Sequence, residues 1–146
     1  MAPWRMSRDF LGSPASVTEA RRFVTTFLRC WPTADAAELI VSELATNAVR
    51  HSASSRFGGR FTVTITAFAD HVRLAVDDEG GPNSPTMPPS EQEEEGEGGR
   101  GLLLVAAVAD DWGVSGNQRG RTVWAVLKIT DLPVGAVPPQ GGPAWT

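Results

Sequence analysis

A single cysteine, Cys30, is all that this chain of 146 residues possesses. An internal disulfide and a cysteine cluster for zinc are thereby excluded, and a lone thiol beside Trp31 at the end of a helical pattern reads as a small buried hydrophobe. Excess positive charge is missing too. The net charge is −4, five glutamates fall between Glu91 and Glu97, and outside that run 13 basic residues face 12 acidic ones. The body is nearly neutral and carries no basic footprint for DNA or RNA. Long apolar runs are also absent. The longest, Leu102 to Ala109, falls far short of the roughly 20 residues that span a bilayer. Arg5, Ser7, Arg8 and Asp9 stand where a signal peptide needs an apolar segment. These absences argue against direct nucleic-acid binding and membrane insertion, and a cytoplasmic protein is the expectation. The length fits one domain, while 15 Gly and 11 Pro call for loops or tails of some extent.

Local patterns give the order of elements. Trp4 to Phe10 reads as a short edge strand. Ser16 followed by Glu19 has capping-box spacing, and Val17, Ala20, Phe23, Val24, Phe27 and Leu28 continue at helical spacing toward Cys30. Pro32 ends that helix, and Thr33 or Asp35 caps a second one reaching about Arg50. A loop from His51 to Gly59 precedes Phe61 to Ala67, which alternates strictly and is rich in β-branched residues. After a turn near His71, Val72, Leu74 and Val76 share one strand face, and period two places Asp78 on that inward face at the strand end. His71 itself reads as exposed. Residues from Glu79 to Gly98 contain four prolines, four glycines and six glutamates without hydrophobic period; a loop that long inside a domain is a lid or a disordered segment. A helix opened by glycines at Gly99, a strand from Asp111 to Ser115, a turn at Gly116-Asn117 and a strand from Arg121 to Ile129 follow. Residues 131–146 form a Pro/Gly-rich flexible tail. The order β-α-α-β-β-lid-α-β-β, with one apolar side per element, predicts an α+β two-layer sandwich: a single sheet with helices on one face.

Four separated patterns carry possible chemistry. On the second helix Glu43, Asn47 and His51 recur at steps of four, within an arc of roughly 80° beside the apolar stripe of Ala37, Val41, Leu44 and Ala48. A carboxylate there can orient water or a hydroxyl, and an amide oxygen can help hold Mg²⁺; an amphipathic helix with a solvated flank gives the same pattern. Asp78-Glu79-Gly80-Gly81 joins an inward carboxylate to glycines that admit a flat ligand, or simply forms a turn. Gly98-Gly99-Arg100-Gly101 opens a helix whose free N–H groups and dipole favour phosphate, though neither the Rossmann nor the Walker spacing is present. Thr122 is a strand hydroxyl that could sit beside Asp78.

In this combination and order the patterns resemble the ATP-binding family shared by gyrase, Hsp90, histidine kinases and MutL. Glu43 with Asn47 is similar to its N-box, Asp78-x-Gly80 to its first glycine box, and Gly99-x-Gly101 to its second. The likeness is greatest to the small bacterial anti-sigma-factor serine kinases, through Val41 to His51, Gly99 to Val105, Ala109 to Gly113 and Gly120 to Trp124, and extends over about Ser16 to Ile129. The resemblance implies a Bergerat fold with a mixed, mainly antiparallel sheet over residues 1–130 and a lid at about 79–98. It also implies an ATP site: Glu43 as general base, Asn47 as the Mg²⁺ ligand, Asp78 as the acceptor for the adenine amino group with Thr122 supporting it. Gly80, Gly99, Arg100, Gly101 and Leu102 would shape the pocket and approach the phosphates, with Arg50 and His51 near them. The implied partners are a sigma factor and an anti-sigma-factor antagonist phosphorylated on serine, with a homodimer as a further implication. A non-catalytic ATP-binding module that switches partners through its lid is the alternative. Two departures stand out. Pro82 replaces a glycine usual in the first box, and the lid's five glutamates repel a triphosphate unless they face solvent or a basic partner.

Overall fold

The computed structural model describes residues 3–29, 31–51, 59–80, 97–117 and 119–129, the side chains of 51 and 97–101 excepted. The environment of Cys30, the loop at 52–58, Pro82 and the acidic lid at 81–96, and the tail lie outside these residues. Strand β1 (Trp4–Leu11) is followed by helices α1 (Pro14–Phe27) and α2 (Ala34–His51), strands β2 (Arg60–Ala67) and β3 (His71–Asp78), helix α3 (Glu97–Val108), and strands β4 (Asp111–Asn117) and β5 (Gly120–Lys128). The strands form one five-stranded sheet in the order β1-β2-β3-β5-β4. Every neighbouring pair is antiparallel, so the expected mixed sheet is corrected to a purely antiparallel one.

Helix starts differ from the expectation for local reasons. α1 begins at Pro14 with extended Ser13 as its N-cap, not at Ser16, because Pro14 already holds the φ that a first helical residue needs. Ser16 is buried in the first turn, where its hydroxyl lies 3.2 Å from that of Ser13. The helix stops at Phe27, short of Cys30, and Leu28 N–H closes it on Val24. The Thr33 carbonyl accepts the Ala37 N–H, so Thr33 precedes α2 as a cap, and Asp35 places negative charge in the first turn. The Thr33 hydroxyl is buried without a hydrogen-bond partner among the described residues. α3 opens at Glu97 rather than at Gly99, and β4 continues to Asn117 because Gly116, at φ 102°, bends the chain while still pairing with Arg121.

Strand alternation builds the core. Phe61, Val63, Ile65 and Ala67 of β2, Val72, Leu74 and Val76 of β3, and Val123, Ala125 and Leu127 of β5 are buried toward the helices. There they meet Ala37, Ile40, Val41, Leu44, Ala45 and Ala48 of α2, with Ala20 and Val24 of α1 and Leu102 and Val105 of α3 completing the cluster. α2 is the central helix: it packs on α1 and α3 and lies over β3, β2 and β5. Burial of each large apolar side chain contributes about 1.5–3 kcal/mol. The other sheet face carries Thr62, Thr64 and Thr66, Arg73, Asp77, Thr122 and Trp124; a β-carbon at Gly113 would come within 2.6 Å of the Trp124 ring, so glycine is required under it.

His71 is corrected from exposed to half-buried. Its ring stacks on Phe68 at 4.2 Å, and its Nδ1 lies 2.7 Å from an Asp70 carboxylate oxygen, which holds Asp70 below the ordinary carboxylate value. Among the described residues no helix is long and apolar enough to cross a membrane.

Phe61 is 1% exposed and stacks on Phe10 with ring centroids 5.4 Å apart. Phe61→Ala is expected to cost about 3–5 kcal/mol, read as a lower urea midpoint at unchanged m-value.

Candidate functional site

Strand pairing sets the ends of β3 and β5 side by side at one edge of the sheet. β3 ends at Asp78, opposite Arg121 at the start of β5, and Asp77 lies opposite Thr62 near the start of β2. α3 ends just before Asp111, which pairs with Val126 near the other end of β5.

Asp78 is buried, as its strand phase predicts. One carboxylate oxygen accepts the Gly80 N–H at 2.7 Å and the other accepts Arg121 Nε–H at 2.9 Å, with the two side chains 2% and 1% exposed. Burial pushes the Asp78 carboxyl up, opposed by the Gly80 amide and then by the Arg121 guanidinium. The bond to Gly80 closes a tight turn in which Gly80 takes φ 75°, a conformation that costs other residues about 1–2 kcal/mol. The following Glu79 turns outward, and its carboxylate accepts the Arg60 N–H at the start of β2.

Thr122 does not stand beside Asp78. Its hydroxyl donates to Asp77 on the outer sheet face, because antiparallel pairing aligns Asp77 with Thr122 and Asp78 with Arg121. The residue missed by sequence reasoning is Arg121, and its signal was present: Val123, Ala125 and Leu127 point inward, and period two carries that face back to Arg121.

On α2, Asn47 is 5% exposed and its amide nitrogen has no hydrogen-bond partner among the described residues. Such an orphan costs about 1–3 kcal/mol unless something binds there. Rotating the amide exchanges nitrogen and oxygen, so that position can offer a donor to a phosphate oxygen or an acceptor to a cation. Glu43, one turn earlier, is half-buried; desolvation raises its carboxyl above the ordinary 4.5, against the opposing charge of Arg50. Arg50 is exposed, and α2 extends to His51. Gly99, Arg100 and Gly101 lie in the first turns of α3, so the Gly99 N–H falls among those the helix leaves unbonded. Leu102 is a core residue by its side chain and is only 4% exposed. The structure therefore joins Asp78 and Gly80 in one bonded turn and sets Asn47 one turn from Glu43 on the helix that lies over the sheet.

The donor set fits a nucleotide with a magnesium ion. Asp78 uses two of its about four lone-pair directions, leaving acceptor capacity for a base amino group. Among the described residues no group of three or more His, Cys, Asp or Glu could hold a metal by itself. Mg²⁺ bound with a nucleotide keeps several waters and takes few protein ligands beside the phosphates, so such a group is not needed, and the Asn47 amide oxygen would be the one protein ligand offered from α2.

Because the Glu43 carboxyl is raised in the folded state, its contribution to stability is complete below 4.5 and is lost as pH rises through the raised value. Glu43→Gln is therefore expected to melt above wild type at pH 7. That advantage should narrow as pH is lowered toward 4.5, in thermal unfolding followed by circular dichroism.

Comparison with known proteins identifies the family. The serine-protein kinase RsbW of Oceanobacillus iheyensis is 32% identical to the chain over 95 residues, covering 57% of the chain and 58% of that relative, so the chain spans little more than half of the relative's length. The model of the histidine kinase-like ATPase domain matches residues 10–127, from the end of β1 nearly to the end of β5. With most of the chain inside that match, the protein belongs to the histidine kinase-like ATPase domain family.

Proposed function

We propose that the protein is a cytoplasmic regulator of the anti-sigma-factor kinase type, which binds Mg-ATP and transfers the terminal phosphoryl group to a serine of an antagonist protein. The observation that carries this reading is the pair on α2: the buried Asn47 amide nitrogen, without a partner among the described residues, one turn from the desolvated carboxyl of Glu43. Similarity to a serine-protein kinase supports the choice of acceptor.

In this reading each residue has a separate task. Asp78 accepts a hydrogen bond from the adenine amino group, with its carboxylate held by Gly80 N–H and Arg121. The first amides of α3, from Gly99, receive phosphate oxygens, and the helix dipole adds to their pull. Asn47 turns its amide oxygen to Mg²⁺, which when bound neutralises charge on the phosphates. Arg50 adds positive charge toward the phosphates, and His51 and Arg100 keep the places there that the family resemblance implies. Glu43 takes the proton of the serine hydroxyl as that oxygen bonds to the γ-phosphorus and the bond to the β,γ-bridging oxygen breaks; a carboxyl raised toward neutrality is the better base for this step. Positioning and charge neutralisation account for most of such a reaction.

Calorimetric titration with Mg-ATP tests the site. Wild type should bind saturably, and Asp78→Asn should weaken binding at least about tenfold by replacing an acceptor oxygen with a donor. Glu43→Gln should keep Mg-ATP affinity while transfer to a serine-bearing antagonist falls about 10²–10⁴-fold. Binding by wild type without transfer to any antagonist would instead favour a partner-switching module that uses ATP as a ligand.

A further inference from the structure

Arg121 is buried at the same edge as the proposed base contact, on a strand phase that otherwise carries Val123, Ala125 and Leu127. A guanidinium at the end of an apolar column is costly to desolvate, and replacing a buried ion pair with apolar side chains is often neutral or stabilising. Its geometry shows what it does locally. Nε–H donates to one Asp78 oxygen at 2.9 Å, from the strand opposite, while Gly80 N–H donates to the other oxygen at 2.7 Å. Held from two directions, the carboxylate cannot rotate about its last torsion, and its unused lone pairs keep one direction. The guanidinium is also one of the two groups that oppose the upward push of burial on this carboxyl.

Resting on the reading of Asp78 as the base contact, we propose that Arg121 is a positioning residue for base recognition. By clamping the Asp78 carboxylate from β5, it makes the site select purine nucleotides that carry an exocyclic amino group over those that lack it. The effect is on selectivity and differs from the contribution of Arg121 to folding. A planar fork fixes a carboxylate plane better than an ammonium does, so lysine at this position should replace the charge but only part of the orientation.

The test compares affinities for ATP and for purine riboside triphosphate, which lacks only the amino group, by calorimetry with Mg²⁺ on the full chain. Wild type should prefer ATP by about tenfold or more, as for a hydrogen bond to a charged acceptor. In Arg121→Met the preference should fall to about twofold or less while affinity for purine riboside triphosphate stays within about threefold. Arg121→Lys should fall between the two. Equal weakening of both nucleotides with an unchanged preference would overturn the proposal and leave Arg121 a structural residue. Should Arg121→Met fail to fold, Arg121→Lys decides: a preference below half that of wild type supports the clamp, and an undiminished one overturns it. A wild type that binds both nucleotides equally would refute the base role of Asp78 itself, an outcome distinct from a wild-type preference that survives both substitutions.

Discussion

The antiparallel register between β3 and β5 is the constraint on which the rest of the molecule depends. It sets Val72 opposite Leu127, Leu74 opposite Ala125 and Val76 opposite Val123, which makes the sheet floor under α2 apolar. One step further along, the same register sets Asp78 opposite Arg121, so the floor ends in a charged pair at the edge where the candidate site lies. A slip by one residue would send every one of these side chains to the other face and bring Asp77 and Thr122 inward. Core and site are thus consequences of one pairing.

Helix α2 connects the two. Ala37, Ile40, Val41, Leu44, Ala45 and Ala48 are fully buried on it, while Glu43 and Asn47 sit on the adjoining flank. Their burial is imposed by the packing of the stripe beside them, and it generates both a raised carboxyl and an unpartnered amide. Neither helps the fold. An amide nitrogen without a partner among the described residues and a half-desolvated carboxyl one turn away are features that folding alone would remove, and the proposed site rests on them.

The architecture was largely legible in the sequence because it rests on periods. Alternation located β2, β3 and β5 within a residue or two, and the apolar stripe of α2 was read correctly as core. What escaped was pairing. Which strand lies beside which, and in what register, is a long-range property, so Thr122 was placed next to Asp78 when the neighbour is Arg121. The capping error at Ser16 has a different origin: a capping-box spacing competed with a proline at the first helical position, and the proline prevailed. His71 was misjudged because its burial comes from stacking on Phe68 across the turn, which no local pattern encodes.

The edge of the sheet opposite Asp78 is closed by short bonded turns. Phe68 N–H reaches His71 across the β2–β3 turn, Ile129 N–H reaches Asp70, and Asp110 both donates its N–H to Val126 and accepts the Lys128 N–H. Four of the five strands are tied there, so their relative alignment is fixed at a point remote from any ligand. The connections that border the site can therefore diverge in length and sequence between relatives without disturbing the alignment. In such a body the chemistry can drift while the frame stays still, and new partner specificities can arise without refolding the protein.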